Sequence, residues 1–161
     1  MVTYEKRESI RKITFSDGVQ LDLFPDFQNL LYEYRQINKD LPEAGGILIG
    51  YENAETGNVT IAKGTAPKAL DFRSRVRLYL SKQHRSEIQE LEYPYGYMGT
   101  WHTHPTDVPI PSLVDLQDWK KCLKKNAHAT GSLIFIIGGK EAFRIWRYDS
   151  ATEQLIEGKE I

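Results

Sequence analysis

The residues most able to do chemistry lie between positions 101 and 115, in Trp101-His102-Thr103-His104-Pro105 and Pro111-Ser112-Leu113-Val114-Asp115. On an extended strand, side chains two apart point to the same face, so His102 and His104 can converge on one ion. Asp115 would arrive from the first turn of the next helix, its path set by the intervening prolines. Two imidazole nitrogens and a carboxylate oxygen make three protein ligands, which leaves the fourth tetrahedral position of a zinc ion for water. That is the pattern of a catalytic rather than a structural zinc. One zinc per chain is therefore expected, although two histidines and a carboxylate also suit ferrous iron.

A plainer explanation exists for each part. Ser112 and Asp115 form a capping-box spacing at a helix start, and an isolated His-x-His is often a hydrogen-bonded pair. Only a metal site accounts for all four residues at once. Zinc lowers the pKa of a coordinated water from about 15.7 to about 7, but peptide cleavage still needs a proton shuttle to the leaving amine. Glu43, in Pro42-Glu43-Ala44-Gly45-Gly46, is the candidate, although spacing alone would leave it an exposed loop acid. Cys122 offers a thiol alternative with His84 or His128 as partner, but its place on the apolar side of a helix favours core filler. His84 and His128 otherwise read as surface.

The elements that must position these groups follow from periodicity. Residues 13–15 and 19–23 flank Ser16-Asp17-Gly18, a hairpin signal. Pro25 opens a helix with Phe27, Leu30, Leu31, Tyr34 and Ile37 at helical spacing, ending at Asp40-Leu41-Pro42. Residues 45–51 and 59–63 read as strands joined by the turn 55–58. Alternation of Val76, Leu78 and Leu80 with Arg75, Arg77 and Tyr79 predicts a further strand with one face solvated. Ser81 is expected to cap a charged helix over 82–92, and residues 95–102 to form a strand despite Gly96 and Gly99. Ser112 should start a helix with Leu113, Leu116, Trp119 and Leu123 on one side. Residues 133–137 predict a strand buried on both faces, and Gly138-Gly139-Lys140 turns it into a last strand over 142–148. Trp101 and Trp119 are expected in the core. The class is α+β, with a mixed, mostly antiparallel sheet flanked by helices.

The chain has 161 residues, 40% hydrophobic and 27% charged, with 21 basic and 22 acidic side chains. That balance suits one domain over residues 1–161 and marks no nucleic-acid binder. Apolar runs are too short to cross a bilayer, the N-terminus carries no signal-like apolar stretch, and one cysteine makes no internal disulfide. A cytoplasmic location without membrane or nucleic-acid partners is expected. The Lys120, Lys121, Lys124 and Lys125 cluster and the Arg73, Arg75 and Arg77 stretch read first as solvated faces, the arginines with a possible grip on an acidic tail.

Glu43 before Gly-Gly-Ile-Leu-Ile-Gly, His102-Thr-His104-Pro, and Ser112-x-x-Asp115 together resemble the JAMM (MPN-type, JAB) zinc metalloprotease family, over residues 26–148. The resemblance implies a cytidine-deaminase-like MPN fold, with zinc on His102, His104 and Asp115. It implies Glu43 as general acid/base and Ser112 as donor to the tetrahedral intermediate. The short chain resembles compact prokaryotic members, and the Asp71-Phe72-Arg73-Ser74-Arg75 stretch those of CBASS antiphage systems. The activity implied is an isopeptidase, deubiquitinase-like, acting after the C-terminus of a ubiquitin-like protein or of a cGAS-like nucleotidyltransferase. Such an enzyme would work alongside an activating/conjugating fusion enzyme. Two alternatives remain open at this point: a non-catalytic MPN-type interaction module that keeps a metal, and a thiol peptidase using Cys122.

Overall fold

The computed structural model describes residues 1–126 and 132–161. In chain order the elements are β1 (Val2–Thr3), β2 (Arg11–Thr14), β3 (Gln20–Leu23), α1 (Pro25–Glu33), β4 (Gly45–Glu52) and β5 (Val59–Gly64). There follow β6 (Phe72–Arg73), β7 (Leu78–Tyr79), a 3-10 turn (Lys82–His84), α2 (Arg85–Gln89), β8 (Gly96–Thr103) and α3 (Leu113–Lys125). The chain ends with β9 (Ser132–Gly138), β10 (Ala142–Asp149), β11 (Gln154–Glu157) and β12 (Lys159–Glu160).

Among the described residues one large sheet runs β1-β10-β9-β8-β4-β5-β3-β2-β12, with β11 also beside β10. Its pairs are antiparallel except β8 with β9 and β3 with β5. This is a mixed α/β architecture, mostly antiparallel, with helices on both faces. The β2–β3 hairpin forms around Gly18 at φ +91°.

The unbroken apolar run of β9 buries alternate residues on opposite faces of the sheet. Ile134 and Ile136 join Phe27, Leu31, Met98 and Trp101 beneath α1. Leu133, Phe135 and Ile137 join Trp119 and Trp146 beneath α3. Trp119 stacks on Phe135 at 4.7 Å between ring centroids, and Trp101 meets Phe27 edge-on at 6.2 Å. Burying each such side chain contributes about 1.5–3 kcal/mol. Both tryptophans are core, as their positions in the pattern suggested.

Several expected elements are shorter or different. α1 stops at Glu33, not near residue 40, and Ile37 is exposed. The chain leaves the helix to bury Gln36, whose amide donates to the Leu41 and Arg75 carbonyls and whose oxygen accepts from the Thr103 hydroxyl. Of the expected strand over 75–80 only Leu78–Tyr79 forms, as β7 of the small β6–β7 hairpin, which is separate from the main sheet; Val76 lies exposed at its turn. The charged helix over 82–92 is a 3-10 turn followed by only five residues of α-helix, though Ser81 caps it by accepting from the Gln83 N–H. On α3 only Trp119 is buried; Leu113 and Leu116 lie exposed. Periodicity could not see that the first turns of α3 line the cleft and leave these leucines uncovered. β1, β11 and β12 escaped the pattern too, because their sequences are short and polar.

Candidate metal centre

β8 carries the first imidazole into place. Its register sets His102 opposite Gly45 of β4 and Ile137 of β9. A Cβ on Gly45 would come within 2.4 Å of the Leu78 side chain and 2.6 Å of the Trp101 carbonyl, so only glycine lets β4 lie this close. Gly99, at φ +137°, does the same for β8 against β9, where a Cβ would strike the Ile134 carbonyl. His104 sits just beyond the strand, its N–H donating to the Gly138 carbonyl at 2.9 Å. The proline-rich loop is tied to the β9–β10 turn: Lys140 N–H donates to the Thr106 carbonyl, Glu141 N–H to that of Asp107, and Arg144 to that of Pro109. That anchoring delivers Ser112 and the start of α3 over the end of β8.

The result is a triangle. His102 Nε2 and His104 Nε2 lie 3.2 Å apart, and each faces a different oxygen of Asp115, at 3.1 and 3.0 Å. Two N–H groups aimed at the carboxylate would leave the two nitrogens pressed together with no hydrogen between them. Two lone pairs and a carboxylate turned toward one cation explain the same approach. Tetrahedral zinc with bonds of about 2.0–2.1 Å needs its ligand atoms roughly 3.3 Å apart, so the donor set and its spacing fit that ion. Burial opposes ionisation of Asp115, yet the close approach of His102 and His104 and the hydrogen bond from the Ser112 N–H favour its charged form and hold its carboxyl far below the usual range.

The capping box forms as well. Ser112 Oγ accepts from the Asp115 N–H at 3.0 Å, and Asp115 Oδ2 accepts from the Ser112 N–H at 2.8 Å. The two explanations weighed for these residues are therefore compatible: the cap orients the carboxylate, and the Ser112 hydroxyl keeps its hydrogen to donate elsewhere.

Glu43 lines the same cleft of about 390 Å³ as His102, Ser112, Asp115 and Arg77. It is buried rather than an exposed loop acid. Burial pushes its carboxyl above the usual carboxylate range, against the opposing pull of His102 and His104. Its backbone is held from two sides by the β6–β7 hairpin: its N–H donates to the Ser74 carbonyl at 2.7 Å, and its carbonyl accepts from Arg73 Nε at 2.8 Å. Its neighbour Ala44 donates to Thr103 Oγ1 at 3.0 Å. Thr103, between the two histidines and facing the other way, thus locks the Glu43 segment to β8. Sequence reasoning missed Thr103, Gln36 and this use of Arg73; a polar residue pointing into the core from between two candidate ligands was the available signal. Arg75 reaches toward the Lys39 carbonyl at 3.5 Å, outside the cleft.

His84 is not a surface residue. It is buried, with Nδ1 2.6 Å from Thr65 Oγ1 and Nε2 2.8 Å from Asp71 Oδ2. Both ring nitrogens are thereby occupied, which leaves none to serve Cys122. The Cys122 sulfur sits 2.8 Å from the Tyr97 hydroxyl, and burial pushes its thiol up, opposite to what a nucleophilic thiolate needs. His128 lies outside the described residues.

A mixed α/β sheet that brings two imidazoles at the end of β8 and a helix-cap carboxylate together beside a cleft is the arrangement expected of JAB-like proteins. A family model described as prokaryotic homologs of the JAB domain matches residues 34–149, and the chain belongs to that family. It is 32% identical over 118 residues to the CD-NTase/cGAS isopeptidase of Vibrio cholerae, spanning 70% of this chain and 72% of that one. The protein of the same name from Escherichia coli is 32% identical over 116 residues, 69% of this chain and 70% of that one. The one from Pseudomonas aeruginosa is 30% identical over 101 residues, 60% and 63%. A solution structure of a Desulfitobacterium hafniense protein matches at 17% identity and TM-score 0.46, covering 83% of this chain and 84% of that one. None of the helices among the described residues is long and apolar enough to cross a membrane.

Proposed function

We propose that residues 1–161 form one cytidine-deaminase-like JAMM domain that acts as a zinc-dependent isopeptidase. Its substrate is a protein joined to an amine through the C-terminus of a cGAS-like nucleotidyltransferase, or of a ubiquitin-like protein, in an antiviral CBASS setting in the cytoplasm. An activating/conjugating fusion enzyme would make the bond that this chain cuts. The observation that carries the reading is the convergence of His102, His104 and Asp115 within 3.0–3.2 Å beside Glu43. The relatives named as CD-NTase/cGAS isopeptidases support the substrate class.

His102, His104 and Asp115 would hold the ion, which supplies a Lewis acid for the scissile carbonyl and makes water nucleophilic at neutral pH. Glu43 takes a proton from the attacking water as the carbon–oxygen bond forms, then gives it to the leaving nitrogen as the carbon–nitrogen bond breaks. A carboxyl raised by burial is suited to both halves of that transfer, because its pKa lies closer to the working pH. Ser112 donates its hydroxyl hydrogen to the developing oxyanion while its oxygen stays in the helix cap. Arg77, also lining the cleft, adds positive charge where negative charge develops.

The test is a purified nucleotidyltransferase tail joined through its terminal carboxyl to a lysine ε-amine. Cleavage that disappears with a chelator and returns with zinc is the expected result. Bound zinc without cleavage would favour the interaction-module reading, and cleavage indifferent to chelator but stopped by alkylation would favour Cys122.

A further inference from the structure

A second cleft, of about 650 Å³, opens between α2 and α3. It shares Leu80, Thr100, Asp118 and Cys122 with the cleft lined by His102 and Asp115, so the two clefts adjoin along a path that leads away from Asp115. Ile47, Ile88 and Tyr97 give it apolar lining, and Arg85, Lys121 and Lys125 give it positive charge. On α3 the residues Asp118, Lys121, Cys122 and Lys125 stand three and four apart and so share one face. Lys120 and Lys124, equally exposed, do not line the groove.

We infer that this groove receives the extended acyl-side tail of the substrate and selects acidic side chains about three to five residues before the scissile bond. The inference rests on the isopeptidase reading. A deconjugating enzyme meets many different amines but one kind of tail, and the amine side of an isopeptide bond is only a lysine stem. A long groove therefore belongs to the acyl side. Along the helix axis Lys121 lies roughly 9 Å and Lys125 roughly 15 Å beyond Asp115. An extended chain rising about 3.3 Å per residue reaches those distances after about three and about four to five residues. Asp118, nearer the cluster, repels acid next to the bond and leaves small neutral residues favoured there. The apolar lining takes the side chains that alternate with the acidic ones.

Binding separates this from the catalytic reading. Fluorescence anisotropy on the intact protein would compare labelled acetyl-Leu-Glu-Leu-Glu-Ala-Ala with acetyl-Leu-Lys-Leu-Lys-Ala-Ala. The acidic peptide should bind about five- to tenfold more tightly, the scale of a few exposed ion pairs, and the preference should shrink at high salt. Lys121→Glu combined with Lys125→Glu should reverse it. Lys120→Glu combined with Lys124→Glu, which makes the same change in net charge off the groove, should leave it intact. Equal binding of the two peptides, no binding of either, or an equal effect of both double variants would overturn the groove assignment. Charge-selective binding by a protein that cleaves no conjugate would keep the groove and strike the isopeptidase reading instead.

Discussion

At the scale of single residues, the site asks one group to do two jobs and another to sit where its chemistry is costly. Ser112 is both helix cap and candidate oxyanion donor, so Ser112→Ala should lose on two instruments. The cap is worth about 0.5–2 kcal/mol of stability and the donor about 2.7–4 kcal/mol of transition-state stabilisation. A lower melting temperature with wild-type turnover would leave only the cap. Glu43 is a buried acid with a raised pKa, and Glu43→Gln should keep its metal while turnover falls by about 10²–10⁴. In the proposed role Glu43 is ionised when it accepts the first proton, so kcat/KM should rise with pH through that raised pKa, placing the acid limb above the ordinary glutamate range. An acid limb at the ordinary value would argue for a different base. The His-x-His spacing and the Ser-x-x-Asp cap were plain in the sequence because both depend on local geometry. The hold on Glu43 was not, since Arg73 and Ser74 reach it from about thirty residues away.

At the scale of elements, the β6–β7 hairpin is what ties Glu43 to the rest of the cleft. Its base is pinned by a buried network in which Asp71 accepts from the Lys68 and Ser81 N–H groups and faces His84, which in turn meets Thr65 beside β4. Burial opposes ionisation of Asp71, but the backbone hydrogen bonds from Lys68 and Ser81 and the bond from His84 hold its carboxyl below the usual value. A depressed folded pKa stabilises the fold above the unfolded value of about 3.9 and stops doing so as pH falls through the folded one. Asp71→Asn should therefore cost stability at neutral pH, about 1–3 kcal/mol for a broken buried network, and the gap to wild type should narrow below about pH 4. Arg73→Ala should lower kcat more than it raises KM, because it loosens Glu43 without touching the groove; Arg73→Lys, which can still donate, should recover part of the loss. Sequence patterning found the long strands β4, β5, β8, β9 and β10, whose apolar residues span whole faces. It overextended the elements over residues 75–92, where alternation of arginine and apolar side chains serves a hairpin with two-residue strands and a cleft wall instead of a strand of the main sheet.

For the molecule as a whole, a net charge of −1 conceals a local asymmetry. Basic side chains gather on the groove between α2 and α3, while His102, His104 and Asp115 sit where the sheet, the hairpin and the start of α3 meet. The exposed apolar residues lining the cleft at that junction, Val76, Tyr79 and Val114, suit the proposed protein tail and are what a self-contained core would not leave uncovered. Composition indicated an ordinary globular chain and nothing more; the ligand spacing and the family resemblance are what the proposed function rests on. Everything turns on the ion and its surroundings. X-ray absorption at the zinc edge, on protein loaded to one zinc per chain, reads them directly. The account predicts nitrogen and oxygen scatterers at about 2.0–2.1 Å, two of them imidazole, and a loss of bound zinc in His102→Ala and Asp115→Ala. A sulfur scatterer near 2.3 Å, or full zinc occupancy in either variant, would contradict it.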